Sequence, residues 1–471
     1  MGKKADRPIP VRLDDTVTLT IDRLGYRAEG VARHEGFTVF VVGALPGEVV
    51  KANIVSVQKS FATAHVIDFL SSSAQRVTPA CPVYEACGGC QLQHASYPLQ
   101  VAMKEQTVID SLTRIGKWEE QDVRSSMTPL RKMEDPWRYR NKVTLAVANV
   151  AERLITGYVK EGTHDVIEAP ECLIRPISFD RLSAFLTAQL EGFGFTPYEE
   201  ESRRGDLRQW IVRENQEGEL MVVLVMTSLP ENKLLTLCRR ADAFCRQEGY
   251  RLGSVVVHVA PPGTKAIWAR EGKVLWGKAF LKETIGDLTF RLSSRSFMQV
   301  NERQMRVLYE EALQAAQLTE HDHVWDLYCG IGTITLLAAQ HAKQVTGIEV
   351  VEEAVADAKE NAKRNGLTNV TFLAGDAEKL VTDRLENGDR PDVVLLDPPR
   401  AGCDRTVLEG ILRAAPQRIV YVSCNPATLA RDLRILADGG YALRSIVPVD
   451  MFPQTSHVEM VVLITRVNVT P

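Results

Sequence analysis

The chain has 471 residues, which is too long for a single hydrophobic core, so we expect several domains. Its 45% of hydrophobic residues and 25% of charged residues are typical of a globular protein, and its net charge of −4 excludes a general basic coat for nucleic acid. It has no run of about 18 apolar residues and no apolar segment behind its first residues, which predicts neither a membrane span nor a signal peptide.

The cysteine content indicates a reducing compartment. Nine cysteines are an odd number, and they are thinly spread along the chain. Such a distribution favours catalytic or metal-binding thiols over a disulfide scaffold. We therefore place the protein in the cytoplasm, with no membrane partner, and expect it to be a monomer.

Short β-rich runs alternate with turns in the first part of the chain, and we assign residues 8–68 to one small domain. The predicted strands are Thr16–Ile21, Gly36–Val42, Glu48–Val55 and Ala62–Ile67. Strands this short and evenly spaced predict an antiparallel barrel, which either binds oligonucleotides or acts as a spacer. The turn sequences at Leu24–Gly30 and Ala44–Glu48 resemble those of TRAM domains, the RNA-binding barrels of several RNA-modifying enzymes. The resemblance implies that this barrel binds RNA.

Three thiols stand close together after the Ser-rich linker Leu70–Gln75. Cys81, Cys87 and Cys90 follow a C-x5-C-x2-C pattern, with two glycines that let the backbone wrap closely. In a reduced protein this spacing predicts metal binding rather than packing. It differs from the C-x3-C-x2-C pattern of radical enzymes, so we expect a structural or RNA-positioning role.

A fourth ligand is needed, and Cys172 is the best candidate because it follows a turn. Cys238 and Cys245 lie on a stretch with helical periodicity, so we predict that both belong to a core. Four thiolates suit either zinc or a 4Fe–4S cluster, and the spacing does not decide between the two.

The central region, residues 75–285, is predicted to be an α+β domain without a catalytic motif. A helical pattern covers residues 97–116, and apolar strands at 220–226 and 254–259 mix with helices. Aromatic and basic residues alternate from Pro136 to Lys142. This combination is typical of a path for single-stranded RNA, since bases stack on rings and guanidiniums bind phosphates; a solvated charged face is the alternative.

From residue 286 onward, strands and helices alternate as in a doubly wound parallel sheet, with a carboxylate or a glycine turn at four successive strand ends. These ends carry Cys329–Thr333, Glu349, Gly375–Asp376 and Asp397–Arg400. A dinucleotide fold would show G-x-G-x-x-G over a pyrophosphate. The sequence DLYCGIGT instead has an acidic strand and a shorter glycine loop, which suits cationic S-adenosylmethionine. We therefore predict an α/β, class I (Rossmann-like) methyltransferase domain over residues 286–471, with a degenerate dehydrogenase as the alternative.

Cys424 lies between a predicted apolar strand, Arg418–Ser423, and a helix that begins at Pro426. Ligands bind at the carboxyl ends of strands in open sheets, and a helix N-terminus favours a thiolate over a thiol. On a methyltransferase, a cysteine at this position points to methylation of a pyrimidine carbon. C5 of uracil is a poor nucleophile until a thiolate adds to C6. Cys424 is therefore our candidate nucleophile, and the alternative is a small buried hydrophobic residue.

The methylated base must lose its C5 proton before a cysteine can leave, and this step requires a general base. Glu459 precedes an apolar strand, Met460–Ile464, and is the candidate base; an ordinary charge at a strand edge is the alternative. The role of the neighbouring His457 is left open. Asp397-Pro-Pro-Arg400 lacks the aromatic residue on which amine-methylating enzymes stack a base, so carbon methylation is favoured.

Four motifs resemble those of the RNA uracil-C5 methyltransferase family, and the likeness extends over nearly the whole chain. The motifs are Asp326–Gly332, Asp397–Gly402, Ser423–Pro426 and His457–Glu459. The resemblance implies that Cys424 is the nucleophile and Glu459 the base. It also implies contacts with S-adenosylmethionine from Gln299, Tyr328, Glu349 and Asp397, with Asp376 near the adenine. Thr333 stands where some relatives have Asn, which puts one cofactor contact in doubt.

The cysteine pattern is similar to the 4Fe–4S site of the 23S rRNA members of this family, whereas its bacterial tRNA members generally lack both barrel and cluster. The implied ligands are Cys81, Cys87, Cys90 and Cys172, with zinc as the less favoured metal. We therefore expect methylation of uracil C5 in RNA, in 23S rRNA rather than tRNA, on a base flipped out of its stem or loop. The alternatives are methylation of tRNA uracil, of cytosine or of an amine, and an RNA-binding assembly factor with vestigial catalysis.

Overall fold

The structure is a computed structural model, and it describes residues 9–160, 162–264, 268 and 272–467. The described residues form a closed barrel, two seven-stranded sheets and a two-stranded ribbon. No helix in these ranges is long and apolar enough to cross a membrane. The predicted combination of a small barrel with α/β architecture is confirmed.

The barrel has the strand order β1-β2-β3-β5-β4. Its strands are β1 (Thr16–Leu24), β2 (Gly30–His34), β3 (Phe37–Val42), β4 (Val49–Val57) and β5 (Phe61–Ser71). Val17, Leu19 and Ile21 are buried and alternate with exposed threonines, so that one side of β1 fills the barrel interior.

The barrel differs from the prediction in two respects. Strand β2 was not predicted, because its sequence GVARH carries few β-branched residues and is held by backbone pairing with both β1 and β3. The barrel is also not wholly antiparallel. Strands β3 and β5 run parallel, since β4 lies between them in sequence and reverses the chain once more.

The central seven-stranded sheet has the order β12-β11-β10-β9-β6-β7-β8. Its strands are β6 (Lys142–Val150), β7 (Arg153–Val159), β8 (Val166–Glu168), β9 (Leu207–Glu214), β10 (Glu219–Met226), β11 (Arg251–Val259) and β12 (Lys273–Gly277). The helices of this part of the chain are α1 (Tyr97–Arg114), α2 (Glu120–Ser126), α3 (Ile177–Gly192) and α4 (Glu231–Gln247). Cys238 and Cys245 of α4 are buried in the core, as predicted.

Helices α1 and α2 belong to the central region in sequence but pack largely against the C-terminal part of the chain. Val108, Ile109 and Leu112 of α1 share a hydrophobic core with Leu429 and Leu433 of the C-terminal part of the chain. A segment that precedes the central sheet in sequence therefore covers one face of the C-terminal sheet, which links the two sheets tightly.

The C-terminal sheet has the order β17-β16-β15-β18-β19-β21-β20. After the ribbon of β13 (Phe280–Ile285) and β14 (Leu288–Ser293), its strands are β15 (His323–Leu327), β16 (Gln344–Glu349), β17 (Val370–Ala374), β18 (Val393–Leu396), β19 (Arg418–Ser423), β20 (Tyr441–Val449) and β21 (Glu459–Arg466). The helices are α5 (Glu302–Ala316), α6 (Thr333–Ala339), α7 (Glu352–Arg364), α8 (Ala377–Glu386), α9 (Arg405–Ala414) and α10 (Pro426–Asp438).

Five strands of this sheet are parallel, and the predicted alternation of strand and helix is confirmed. Strand β21 is the exception to this parallel arrangement, and β20 beyond it runs in the same direction as β19. Strand β21 is antiparallel because the chain returns from β20 through residues 450–458 without a crossover helix.

Both faces of the sheet are covered, which explains why its strands are continuous apolar runs. In β19, Ile419 and Tyr421 face the core that includes α1 and α10, while Val420 and Val422 face the core on the opposite side. The carboxyl ends of the parallel strands lie at one edge and leave their following loops free to form a site.

Candidate active site

A cavity of about 860 Å³ lies at the carboxyl ends of the parallel strands. The predicted site residues that line it are Gln299, Tyr328, Glu349, Asp397, Cys424, His457 and Glu459. Asp376 precedes α8 and is not among the described residues that line the cavity. One cavity therefore holds both the glycine-loop residues and the candidate nucleophile.

The register of the sheet brings Cys424 and Glu459 together. Strands β19 and β21 are antiparallel, and Ser423 at the end of β19 is paired with Met460 near the start of β21. The next residue in each direction is Cys424 on one strand and Glu459 on the other. A thiol and a carboxyl that are distant in sequence thus occupy neighbouring positions at the cavity wall.

The turn after Cys424 is held by hydrogen bonds from Asn425. The side-chain oxygen of Asn425 accepts from the backbone N–H of Ala427 at 3.1 Å and caps α10, whose first residue is Pro426 as predicted. Its side-chain N–H donates to the backbone oxygen of Arg400 at 3.0 Å. This bond ties the loop after β18 to the loop that carries Cys424.

Cys424 is partly buried, and its thiol form is favoured. The pKa of Cys424 is raised to about 11 by burial first and then by the charges of Glu459 and Asp397, while Arg400 opposes the rise. The net shift is opposite to our expectation that the N-terminus of α10 would favour the thiolate. Desolvation and two carboxyls outweigh the partial charge of the helix. The Arg400 guanidinium, which lines the same cavity, favours the thiolate but does not offset these effects.

Glu459 is buried, with 3% of its surface exposed, and burial followed by the charge of Asp397 raises its pKa to about 8. Burial alone raises the pKa of Asp397 to about 7. Two carboxyls with shifted pKa values in one cavity are typical of a functional site. Around neutral pH, Glu459 is thus poised to exchange a proton.

The raised pKa of Glu459 predicts a pH-dependent stability. Its ordinary value is 4.5, so between about pH 4.5 and pH 8 the folded protein holds a proton that the unfolded chain has released. Stability therefore falls as the pH rises through this window, by at most about 1.4 kcal/mol per pH unit. Glu459→Gln should remove this pH dependence. Its free energy of unfolding, relative to that of the wild type, should therefore be higher at pH 9 than at pH 5. Urea unfolding at both pH values measures the difference, and an equal effect at the two pH values would contradict the shift.

His457 is a neutral imidazole beside the nucleophile. Burial, followed by the positive charge of Arg400, lowers the pKa of His457 to about 4. The Arg400 guanidinium donates to Nδ1 of His457 at 3.1 Å, and since a guanidinium only donates, Nδ1 is the unprotonated nitrogen and Nε2 carries the hydrogen. His457 can therefore donate a hydrogen bond into the cavity through Nε2.

The glycine loop and Glu349 form the other half of the cavity. Tyr328, Gly330 and Gly332 have positive φ angles of 69°, 54° and 81°, and a Cβ at Gly332 would lie 2.8 Å from the ring of Phe372. The carboxylate of Glu349 accepts from the backbone N–H groups of Gly330 at 3.0 Å and Val351 at 2.9 Å. This fixed carboxylate at a strand end is suited to bind ribose hydroxyls.

Several residues that line the cavity were not predicted from sequence. The sequence indicated only that Arg400 stands where amine-methylating enzymes have an aromatic residue. In the structure, its charge lowers the pKa values of Cys424, His457 and Glu459. Asp357 on α7 accepts hydrogen bonds from Ser293 and Ser296, but it stands in a charged helix and gives no separate signal. The other unpredicted lining residues include Gly88, Gly89, Gln91, Phe452 and Thr455, whereas Arg140, which also lines the cavity, belongs to the predicted RNA path.

The alternating segment from Pro136 to Lys142 is used mainly inside the protein. The hydroxyl of Tyr139, a residue 5% exposed, donates to the backbone oxygen of Pro453 at 2.9 Å. Arg138 donates to the backbone oxygen of Cys172 and pairs with Asp180, each at 2.9 Å. Tyr139 is therefore too buried to stack on a base, whereas the side chain of Arg138 stays 30% exposed and the RNA path remains a prediction there. Sequence periodicity did not reveal these internal partners.

A second cavity, of about 330 Å³, is lined by three cysteines of one short segment and by a fourth that lies about 80 residues further along the chain. They are Cys81, Cys87, Cys90 and Cys172, and all four are free thiols. Within the described ranges, no three His, Cys, Asp or Glu side chains are arranged to hold a single metal ion. Four thiols around one cavity nonetheless match the donor set of a cluster of several atoms.

Comparisons with known proteins agree with this geometry. A family model described as tRNA (Uracil-5-)-methyltransferase matches residues 268–467, and a TRAM domain model matches residues 11–67. An uncharacterized RNA methyltransferase of Halalkalibacterium halodurans is 44% identical over 462 residues, which cover 98% of this chain and 99% of the relative. The chain belongs to the RNA uracil-C5 methyltransferase family.

Further relatives agree with this assignment of the enzyme. An RNA methyltransferase of Clostridium acetobutylicum is 40% identical, with 98% of this chain and 100% of the relative covered. The crystal structure of the Pyrococcus abyssi tRNA (uracil-54, C5)-methyltransferase in complex with S-adenosyl-L-homocysteine is 25% identical, with a TM-score of 0.72, and covers 95% of this chain and 99% of that chain. The predicted family, the class I methyltransferase fold and the use of S-adenosylmethionine are confirmed.

Proposed function

We propose that the enzyme methylates C5 of a uridine in 23S rRNA, with Cys424 as the nucleophile and Glu459 as the general base. The observation that carries this proposal is the pairing of β19 with β21, which sets the thiol beside the carboxyl in the cavity of the glycine loop. A uracil flipped into this cavity would meet both groups at once.

In the proposed reaction, the sulfur of Cys424 adds to C6 of uracil, and the electron pair of the C5–C6 bond makes C5 nucleophilic. S-adenosylmethionine would supply the methyl group to C5 and would leave as S-adenosylhomocysteine, with its sulfonium carbon–sulfur bond broken. Glu459 then removes the proton from C5, the C5–C6 double bond re-forms, and the bond between C6 and sulfur breaks. The neutral His457 donates from Nε2 and stabilises the negative charge that develops on the uracil oxygen.

The two acids Cys424 and Glu459 must be ionised at the steps in which they act. Their pKa values are about 11 and about 8 in the protein alone. A positive charge held in the same cavity lowers the pKa of each, because an opposite charge favours the ionised form. We infer that binding of the cationic cofactor ionises the site and so orders the reaction, with the cofactor before chemistry.

The cofactor contacts proposed for this chain follow the cavity wall. Glu349 would bind the ribose, and Gln299, Tyr328 and Asp397 would complete the site. Asp376 stands at the end of the neighbouring strand β17 and would lie near the adenine. The four residues that line the cavity support the assignment more directly than Asp376 does.

We propose that Cys81, Cys87, Cys90 and Cys172 hold a 4Fe–4S cluster with a structural role. The cavity that all four line supports this assignment, because four thiolates are the ligand set of such a cluster, and zinc is the less favoured alternative.

Anaerobically purified protein is expected to absorb near about 400 nm and to contain about four iron atoms per chain, as a cluster with four thiolate ligands does. Elemental analysis measures iron and zinc in the same sample. Cys172→Ser should lose most of the iron, whereas Cys238→Ser, a buried cysteine of α4, should retain it. A colourless protein that contains one zinc ion would contradict the iron–sulfur cluster and support zinc as the metal.

The proposed domains divide the work on RNA. Residues 8–68 would bind RNA, residues 75–285 would carry the cluster, and residues 286–471 would methylate. The barrel reaches the active site, since the hydroxyl of Tyr26, in the turn between β1 and β2, donates to the side-chain oxygen of Asn425 at 3.5 Å. RNA bound on this turn would therefore pass beside Cys424. We further propose that the enzyme acts as a monomer in the cytoplasm.

Methylation of tRNA is the second candidate function. The solved relative whose title names tRNA (uracil-54, C5)-methyltransferase covers barrel, central sheet and C-terminal sheet alike. This architecture thus occurs in an enzyme for tRNA.

The two RNAs are distinguished by a direct assay. Purified enzyme is incubated with labelled methyl donor and either 23S rRNA or tRNA transcripts, and the modified nucleoside is identified by mass spectrometry. We expect 5-methyluridine in 23S rRNA, and a matching loss of this nucleoside from cells that lack the gene. 5-Methyluridine in tRNA alone would select the second candidate. Methyl groups on cytosine or on amines, or no methylation, would refute both.

A further inference from the structure

The loop Cys87–Leu92, here called the cysteine loop, forms a wall between the two cavities. Cys87 and Cys90 line the cysteine cavity, while Gly88 and Gln91 line the catalytic cavity. Gly89 lines both. The loop that would be ordered by a cluster on one side is thus in direct contact with the substrate space on the other.

Gln454 joins the cysteine loop to the catalytic side. Its backbone oxygen accepts from the backbone N–H groups of Gln91 and Leu92, both at 3.0 Å. Its side-chain oxygen accepts from the amide of Gln100 at 3.0 Å, and its backbone N–H donates to the side-chain oxygen of Gln100 at 3.0 Å. The Gln100 amide also donates to the backbone oxygen of Leu92 at 3.0 Å, which closes the network.

The backbone at Gln454 is held in an uncommon conformation. Its φ angle is 69°, in the left-handed region that a residue other than glycine rarely adopts, and only 3% of its surface is exposed. Such a conformation persists only where the surroundings determine it. The surroundings are the cysteine loop and α1, not the strands of the C-terminal sheet.

Gln454 lies in the segment Asp450–Val458, here called the catalytic segment, which connects β20 to β21 and leads directly into Glu459. Phe452, Thr455 and His457 of this segment line the catalytic cavity. The segment has no regular secondary structure, and groups outside the C-terminal sheet fix it: Lys104 pairs with Asp450 at 2.5 Å. Its position therefore depends on what surrounds it.

We propose that Gln454 is a positioning residue that locks the catalytic segment onto the cysteine loop, so that ordering of the loop through Cys87 and Cys90, two of the four thiols of the cysteine cavity, sets the placement of His457 and Glu459. The inference rests on the proposed function for the role of Glu459. It gives the cysteine site a defined task in the reaction: to hold the general base in place for removal of the C5 proton.

Loosening this lock should slow the last step of the reaction more than the earlier ones. In Gln454→Asn, the side chain is one methylene too short to reach Gln100, while Asn tolerates a positive φ. We expect kcat to fall roughly tenfold or more, since small misplacements of a reacting group have effects of this order. The covalent complex between RNA and Cys424 should accumulate on denaturing gels, and the KM for RNA and the Kd for S-adenosylhomocysteine should change by less than about twofold.

The same variant tests the reciprocal effect on the cysteine loop. Coupling between two sites acts in both directions. A thiol reagent should therefore modify Cys87 and Cys90 severalfold faster in Gln454→Asn than in the wild type, as mapped by mass spectrometry on the protein as purified. Gln454→Gly removes the side chain and makes the positive φ angle unstrained, and it should show the same faster modification of Cys87 and Cys90. Gln314→Asn, an exposed glutamine of α5, is the matched control and should leave all these values unchanged.

The outcomes separate this inference from the proposed function. A fall in kcat without accumulation of the adduct, or unchanged reactivity of Cys87 and Cys90 in a variant that still binds S-adenosylhomocysteine, would overturn the role of Gln454. Glu459→Gln is run in the same gel assay. Suppose that Glu459→Gln accumulates no adduct while Gln454→Asn raises the reactivity of Cys87 and Cys90. The assignment of Glu459 as the base is then wrong, but the contact of Gln454 with the cysteine loop is confirmed.

Discussion

Replacing Cys424 with alanine is expected to abolish methyl transfer to RNA, with a loss on the order of 10⁴-fold or more, as for other enzymes that lose a covalent nucleophile. C5 of uracil has no comparable source of electron density without addition of the thiolate at C6. The affinity for S-adenosylhomocysteine should remain within about twofold, because the glycine loop and Glu349 lie on the other side of the cavity. Transfer of labelled methyl groups to RNA and calorimetric titration measure the two effects.

The control for this substitution is Cys245→Ala. Cys245 is fully buried in α4 and lies in the core of the central sheet, so its loss creates a small cavity without touching the active site. It should lower the unfolding temperature slightly and leave kcat unchanged. Methyl transfer by Cys424→Ala above roughly 1% of the wild-type rate would exclude Cys424 as the nucleophile, because general-base catalysis alone cannot replace the covalent step.

Replacing Glu459 with glutamine should trap the reaction after methyl transfer. The amide has nearly the same shape but cannot take up the C5 proton, so the bond between sulfur and C6 persists, and kcat should fall by about 10²- to 10⁴-fold, the usual range for loss of a general base. A covalent RNA–protein complex that carries a labelled methyl group should accumulate on denaturing gels. Its amount and its decay rate are measured directly.

Glu283→Gln is the matched control for this experiment. Glu283 is also a buried carboxyl, 2% exposed, and burial raises its pKa to about 7, but it does not line the catalytic cavity. Its replacement should change stability and leave turnover free of adduct. If Glu459→Gln loses activity without any adduct, then Glu459 acts before addition of the thiol, as the base that ionises Cys424, and the proposed elimination step needs another base.

Much of the candidate site could be predicted because its signals are local. The run Arg418–Ser423 is apolar and β-branched, and it is followed by Asn425 and Pro426, so the strand, the cap and the helix are all encoded in neighbouring residues. The glycine loop after β15 and Glu349 at the end of β16 are similar cases. Strand ends of a parallel sheet converge by topology alone, so residues at these ends could be expected to share one cavity.

Other features depend on contacts between distant parts of the chain. The periodicity of α1 predicts an apolar face but not its partner, and the structure shows that this face packs with α10 instead of the central sheet. The pKa of Cys424 is raised because burial and Glu459 act on it together, which no pattern around Cys424 reveals. The wall shared by the two cavities also depends on residues that are distant in sequence, since Gln454 contacts Gln91 and Gln100 only in the folded chain.

The sequence by itself determined the candidate residues, because the choice of Cys424, Glu459 and the four thiols follows from residue chemistry at recognisable strand ends and spacings. The tertiary structure decided how they act together. Insertion of β21 between β19 and β20 sets Glu459 next to Cys424, and the loop Cys87–Leu92 places one cavity against the other. The physical reason is that periodicity and turn signals are properties of contiguous residues, whereas strand pairing, desolvation and shared hydrogen bonds arise from residues that meet only when the whole chain folds.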